Sequence, residues 1–259
     1  MGVRRTNRRW EALARRDPLW AIVSEPAMRG NRWDEAAFYE SGREAVQKTL
    51  AEVEALGLGP VRGPALDFGC GAGRLTWALA ERLEDVHGVD VSPTMIRLAR
   101  ERSHDGPRPV FHLVERPPLP FPDGRFRFVL SELTLQHIPP PTARRMIREF
   151  LRVLAPGGVA VFQEAADPVL PGAPPDRWRR LIHRLKLALP RPVFDAVRSV
   201  RLAIRPPKTF EMHGVPRRTV EAIVRRGGGR LAHVEENRSA GDGWTSFRYV
   251  VVRPPADTP

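Results

Sequence analysis

At 259 residues and 42% hydrophobic, the chain is long enough for one large α/β domain with additions. A formal charge of +12, from 42 Lys and Arg against 30 Asp and Glu, points to an anionic partner or to an arginine-rich genome. The single cysteine, Cys70, excludes an intramolecular disulfide and a cysteine-rich zinc site.

Residues 1–60 are predicted to be helical. The basic pairs Arg4-Arg5 and Arg8-Arg9 are followed by no apolar run of signal-peptide length, because Glu11, Arg15, Arg16 and Asp17 interrupt it. No segment approaches the ~18 apolar residues of a membrane span. The expectation is a cytoplasmic protein that can still touch a membrane surface. Trp10, Leu13, Trp20, Ile22 and Val23 supply apolar positions. A further helix is expected from Asp34, as N-cap, to Leu56, with Gly57 closing it.

The stretch Leu66-Asp67-Phe68-Gly69-Cys70-Gly71-Ala72-Gly73-Arg74 reads as strand, glycine turn, helix, with Leu75, Leu79 and Leu83 continuing at helical spacing. Alternate glycines let the backbone approach a ligand, and free N–H groups at the helix start can face a carboxylate or phosphate. A dinucleotide fingerprint spaces its glycines G-x-G-x-x-G. Glycines at 69, 71 and 73 do not, and Asp67 at the mouth of the loop would repel a pyrophosphate. The same acid would welcome a ligand bearing positive charge. S-adenosylmethionine, which joins an ammonium, a carboxylate, a sulfonium and a nucleoside, fits. The next strand ends at Asp90, 23 residues beyond Asp67, where an acid can accept hydrogen bonds from both ribose hydroxyls. Cys70 is read as a small structural side chain in the loop.

Strands are expected near 64–68, 86–90, 110–114, 126–131 and 158–163, with helices near 73–83, 93–102 and 142–154. This alternation implies a parallel sheet covered on both faces, with ligands at the carboxyl ends of its strands. Asp67, Asp90 and Glu115 fall at such ends. His137, after the fourth strand, is a candidate general base because an imidazole titrates near neutrality. Glu164 and His213 are weaker candidates. Residues 164–215 interrupt the core. Between Asp176 and Lys208 stand ten Lys and Arg against two acids, a formal +8, with Trp178, Leu181, Ile182, Leu185 and Leu189 at helical spacing. This resembles a basic amphipathic helix, which either caps the core or meets an anionic lipid surface. A helix near 216–226 ends at Gly227-Gly228-Gly229, and strands near 230–236 and 246–253 should pair antiparallel.

Four motifs in order carry a resemblance. They are Asp67 to Arg74, Val89-Asp90-Val91-Ser92-Pro93-Thr94-Met95, Leu119-Pro120-Phe121-Pro122-Asp123-Gly124-Arg125-Phe126, and Leu151-Arg152-Val153-Leu154-Ala155-Pro156-Gly157-Gly158. The chain resembles the class I S-adenosylmethionine-dependent methyltransferases of the small-molecule, methyltransferase type 11-like group. Arg127 departs from the Asp usual there. The resemblance implies a Rossmann-like, doubly wound, mostly parallel seven-stranded sheet with an antiparallel edge strand, N-terminal helices and a helical insertion. The implied division is a helical cap at 1–60, the cofactor-binding core at 61–163, a basic insertion or lid at 164–215, and a return to the core at 216–259.

The resemblance also implies cofactor contacts from Asp67, Gly69, Cys70, Gly71, Gly73, Asp90, Met95, Glu115 and Ser131, and no metal. Asp67 is expected near the cofactor ammonium, Asp90 on the ribose, Met95 and Glu115 around adenine. His137 is either the catalytic base or a residue that shapes the pocket. Trp20, Trp33, Phe38 and Tyr39 either line a substrate pocket, as segments before the first strand do in such proteins, or simply pack against the core, which is the favoured reading for any single one of them. The implied reaction moves a methyl group to an O, N or C nucleophile of a small-molecule or lipid-like acceptor, leaving S-adenosylhomocysteine. A non-catalytic cofactor-binding or membrane-peripheral protein, and a nucleic-acid methyltransferase, are the alternatives. The second is weakened because no Asp/Asn-Pro-Pro-aromatic motif follows the fourth strand and Cys70 is misplaced for cytosine chemistry.

Overall fold

The computed structural model describes residues 2–102, 106, 108–168, 211–237, 239–241 and 243–255. The basic stretch 176–208 lies outside the described residues.

Three helices precede the sheet: α1 (Gly2–Arg16), α2 (Pro18–Ile22) and α3 (Glu35–Val53). Asp34 caps α3 as the sequence predicts, its carboxylate accepting from the Ala37 N–H at 2.9 Å. Gly57, at φ 72°, ends the wider turn that follows α3. The core then alternates: β1 (Ala65–Phe68), α4 (Arg74–Ala80), β2 (Val86–Asp90), α5 (Pro93–Glu101), β3 (Val110–Leu113), β4 (Phe126–Ser131), α6 (Pro140–Val153) and β5 (Leu154–Pro168). After the interruption come α7 (Arg217–Arg226), β6 (Arg230–Asn237) and β7 (Trp244–Val252).

The seven strands are ordered β3-β2-β1-β4-β5-β7-β6. β1 to β5 are parallel, and β7 is antiparallel to both its neighbours. The antiparallel strand therefore lies one place in, and β6 forms the edge. β5 is longer than expected, because its first residues follow α6 without a loop and its end continues to pair with β7 as far as Pro168↔Trp244. The order reverses between β1 and β4, and a doubly wound sheet opens a crevice at the carboxyl ends of such strands.

Each sheet face is covered. On one, Phe68, Phe150, Phe162 and Tyr249 pack beneath α6 and α7. On the other, Val46, Leu75, Leu79 and Val161 pack beneath α3 and α4. Burial of this kind contributes about 1.5–3 kcal/mol per large side chain. Arg127, the departure noted in the sequence, donates from Nη1 to the Pro156 carbonyl at 2.9 Å and holds the turn before the body of β5. Among the described residues no helix is long and apolar enough to cross a membrane.

α3 and α4 touch backbone to backbone at Gly42. A Cβ there would lie 2.3 Å from the Arg74 carbonyl oxygen and 2.9 Å from its Cγ. Gly42→Ala is therefore expected to destabilise the fold by about 1–3 kcal/mol, since overpacking against backbone outweighs the roughly 0.5–1 kcal/mol of helix propensity gained. Thermal unfolding would show it as a lower Tm. An unchanged or higher Tm would mean that the helices separate at little cost.

Candidate active site

The glycine loop leaves β1 and is tied down by the end of β2. The N–H groups of Gly69 and Cys70 donate to the Val89 carbonyl at 2.8 and 3.0 Å. Gly71 N–H donates to Asp90 Oδ2 at 3.0 Å, and Ser92 N–H donates to Asp90 Oδ1 at 2.8 Å. Burial pushes the Asp90 carboxyl up, against the pull of these N–H groups. Gly69 sits at φ 80°, and a Cβ there would come within 2.2 Å of the Thr134 hydroxyl. At Gly71 a Cβ would meet Ile22 Cδ1 at 2.6 Å. Both glycines are thus required by packing around the loop.

Above the loop lies a cavity with about 980 Å³ of empty space, open solvent at its mouth included. Gly69, Gly71, Asp90, Met95, Glu115 and His137 all line it. Those six of the sequence-predicted site residues are brought together. The donor set suits a nucleoside joined to an amino acid: a carboxylate at the end of β2, a glycine backbone beneath, and apolar walls from Met95, Val91 and Val114. Among the described residues no group of three or more His, Cys, Asp or Glu could hold a metal ion.

The other four predicted residues lie behind the loop, not against the cavity. Asp67 is buried, and its Oδ2 accepts from the Thr76 hydroxyl at 2.6 Å. Burial pushes its carboxyl up to about 7. Its place at the mouth, expected from the sequence, is corrected: the side chain points back under α4 because β1 alternates its faces. The Cys70 thiol is buried, which raises it well above its ordinary value and leaves it unreactive. Gly73 precedes α4, packed against Trp77 and Phe111. The Ser131 hydroxyl donates to the Phe68 carbonyl at 3.1 Å and staples the ends of β4 and β1.

Of the two readings of the N-terminal aromatics, the structure shows packing. None of Trp20, Trp33, Phe38 and Tyr39 lines the cavity. Phe38 packs between Trp33 and Tyr39, whose hydroxyl donates to the Ala72 carbonyl at 3.0 Å from the far side of the loop. Glu164 and His213 also lie outside the lining. Glu164 is buried on the α7 side of β5, and burial raises its carboxyl well above its usual range.

His137 is enclosed by a directional chain of hydrogen bonds. Leu133 N–H donates to Gln163 Oε1 at 3.2 Å, and Gln163 Nε2 donates to Gln136 Oε1 at 2.8 Å. In the orientation that satisfies each partner, Gln136 Nε2 donates to His137 Nε2 at 3.3 Å, and His137 Nδ1 donates to the Glu211 carbonyl at 3.1 Å. Trp10 meets the imidazole edge-on, with ring centroids 4.9 Å apart. Burial lowers the His137 pKa to about 4, so the ring is neutral near pH 7. Leu133 stands at φ 55°, a conformation that costs a bulky residue about 1–3 kcal/mol and clusters at functional sites.

Helix α1 roofs the cavity with Val3, Thr6, Asn7 and Trp10. It is latched at both ends. Glu11 accepts from the Ser92 hydroxyl at 2.6 Å, from the Thr94 hydroxyl at 2.7 Å and from the Thr94 N–H at 3.2 Å. Arg5 and Arg9 hold Glu211 at 3.0 and 2.7 Å. Sequence reasoning missed Glu11, Leu133 and Gln163. Glu11 lies 81 residues from Ser92, and no local pattern marks such a pair.

Residues 65–158 match the family model described as "Methyltransferase domain". These residues form a methyltransferase domain of the class I, S-adenosylmethionine-dependent type. The chain is 37% identical over 134 residues to a malonyl-[acyl-carrier protein] O-methyltransferase of Halorhodospira halophila, covering 51% of this chain and 43% of that protein. It is 33% identical over 113 residues to a demethylmenaquinone methyltransferase of Lysinibacillus sphaericus, covering 42% of this chain and 47% of that protein. The matches thus span less than half the length of either relative. The fold is shared with magnesium protoporphyrin IX methyltransferase from Synechocystis PCC 6803, crystallised with S-adenosylhomocysteine. There the TM-score is 0.52 at 21% identity, over 82% of this chain and 84% of that one.

The Glu11 latch generates a test. Burial would raise this carboxyl, but hydrogen bonds from Ser92, Thr94 and Arg15 outweigh it and hold the pKa at about 2. A depressed pKa stabilises above the unfolded value of 4.5 and is lost as pH falls towards about 2. Glu11→Ala is expected to speed amide hydrogen exchange in α1 at least roughly tenfold at pH 7, leaving β1, β4 and β5 unchanged. In wild type, the α1-to-core difference should widen only below about pH 4.5. Equal protection of α1 in the two proteins would remove the latch.

Proposed function

We propose that the chain transfers a methyl group from S-adenosylmethionine to a small-molecule or lipid-like acceptor. The observation that carries this reading is Asp90: a carboxylate at the end of β2, fixed by the Gly71 and Ser92 N–H groups and lining one cavity with Gly69, Gly71 and Met95. In this reading Asp90 accepts from the ribose hydroxyls, and Met95 packs against adenine with Glu115 near its amino group. The glycine backbone lies beneath the methionine part. Asp67 acts through the loop it buttresses, with Cys70, Gly73 and Ser131 as supports. The 1–60 segment is the cap, 61–163 the binding core, 164–215 an insertion and 216–259 the return to the core. A cytoplasmic location belongs to the same proposal.

The cofactor supplies a methyl group already activated on a sulfonium. The protein then has to hold the acceptor's nucleophile in line and exclude water, and positioning alone can contribute about 7–11 kcal/mol. α1 does the excluding, because its roof closes the cavity above the loop. Glu132, which also lines the cavity, is held by Arg248 at 2.6 Å and kept from wandering into the site. His137 is read as a wall that fixes the Glu211 backbone, and hence α1, over the site. Both ring nitrogens already have partners, and a pKa near 4 makes it a weak base.

Two outcomes follow. Asp90→Ala should weaken S-adenosylmethionine binding by about 1.5–3 kcal/mol by calorimetry, because charge-assisted hydrogen bonds to ribose are removed. Unchanged affinity in a folded variant would take Asp90 out of the site. His137→Ala should lower kcat less than roughly tenfold on the true acceptor, while a general base would cost roughly 10²–10⁴. A loss in the larger range would restore His137 as the base.

A further inference from the structure

An outer cleft adjoins the cavity and shares Asn7, Glu115, Arg116 and Thr142 with it. Arg4 from the start of α1, Arg116 from the loop after β3, and Arg145 from α6 line this cleft together. Among the described residues no hydrogen bond or ion pair engages any of these three guanidinium groups. Their neighbours behave differently. Arg5 and Arg9 are both committed to Glu211, and Arg152 to Glu149 and Asp123. Among the described residues the one acid lining the cleft is Glu115, whose backbone carbonyl accepts from Asn7 Nδ2 at 3.1 Å.

Three cations gathered round one concavity repel one another and raise the local concentration of anions. Guanidinium forks match the oxygens of phosphate bidentately. The cleft is concave and continuous with the cavity, so it fits a compact anionic group on a molecule that also reaches inside. One carboxylate against three arginines leaves a net positive site.

We propose that this cleft binds a phosphate group carried by the methyl acceptor, with the acceptor's reactive end in the cavity and its anionic end at the mouth. The proposal rests on the methyltransferase reading above. It gives the acceptor class a charge, and it assigns part of the chain's positive excess a task at the site. Phosphate could reach the cleft on a soluble molecule or on a lipid headgroup, and the chemistry recognised is the same.

The test uses the full chain loaded with S-adenosylhomocysteine at low salt. Inorganic pyrophosphate is titrated by calorimetry, and phosphatidylcholine vesicles with and without phosphatidic acid are co-sedimented. Wild type should bind at least one of the two phosphate probes, more weakly as salt rises. The double variant Arg4→Ala/Arg145→Ala should bind it at least roughly tenfold more weakly. Arg148→Ala, outside the cleft lining, should match wild type within about twofold. S-adenosylhomocysteine affinity should be the same in all three proteins. Pyrophosphate binding lost in the double variant identifies a soluble source, and phosphatidic-acid-dependent sedimentation lost in it identifies a lipid source. Binding to neither probe, or binding that the double variant retains, overturns the proposal. Failure of wild type to bind S-adenosylhomocysteine would instead overturn the methyltransferase reading, while leaving the pyrophosphate result readable.

Discussion

The site is organised around one partly buried carboxylate. Asp90 ends β2, and its two oxygens reach in different directions, to the Gly71 N–H and to the Ser92 N–H. The first contact sets the height of the glycine loop. The second sets the start of α5, where the Ser92 hydroxyl then accepts from the Met95 N–H at 3.1 Å as N-cap. A buried charge is costly unless it is hydrogen-bonded, and the N–H groups at the end of a strand and the start of a helix are the available compensation. Losing this carboxylate would release the loop and the helix start together. On the proposed reading, positioning and binding depend on the same atoms.

The same helix start also receives α1. Glu11 takes the Ser92 and Thr94 hydroxyls, so that the cap helix and the binding loop are referenced to one point of the sheet. At the other end of α1, Arg5 and Arg9 hold Glu211, whose carbonyl receives the His137 ring. From there the hydrogen bonds run through Gln136 and Gln163 to the strained backbone of Leu133. A polar chain of this kind is satisfied at each member or costly at each. It gives the roof of the cavity and the ends of β4 and β5 a common geometry.

Much of the sheet could be read in advance because its strands are mostly apolar runs between glycine and proline punctuation. Asp90 and the glycine loop were legible for the same reason, since their spacing follows from a strand, a turn and a helix in sequence. Asp67 misled, because a strand's alternation decides which face an end residue presents, and the short run 65–68 leaves the face open until neighbours are known. The aromatics of residues 20–39 left two readings open because an apolar ring carries no mark of whether it meets a ligand or a core. Glu11, Gln163 and Leu133 carried no signal at all. Their roles exist only once segments distant in sequence have been brought together by the sheet.

The chain's charge is distributed with a logic that the total conceals. On α1 alone, Arg15 turns to Glu11, Arg5 and Arg9 turn to Glu211, and the Arg8 guanidinium bonds the Arg4 carbonyl. Most of these pairs are exposed, and each stabilises by no more than about 1 kcal/mol. Their larger effect is to fix the direction of a helix whose inner face roofs the cavity. Arg4, one turn from Arg8, lines the cleft, and among the described residues no partner engages its side chain. A guanidinium beside two others adds repulsion and so contributes nothing to stability by itself. An anion arriving with the acceptor, as proposed above, would give it a partner at the entrance to the cavity.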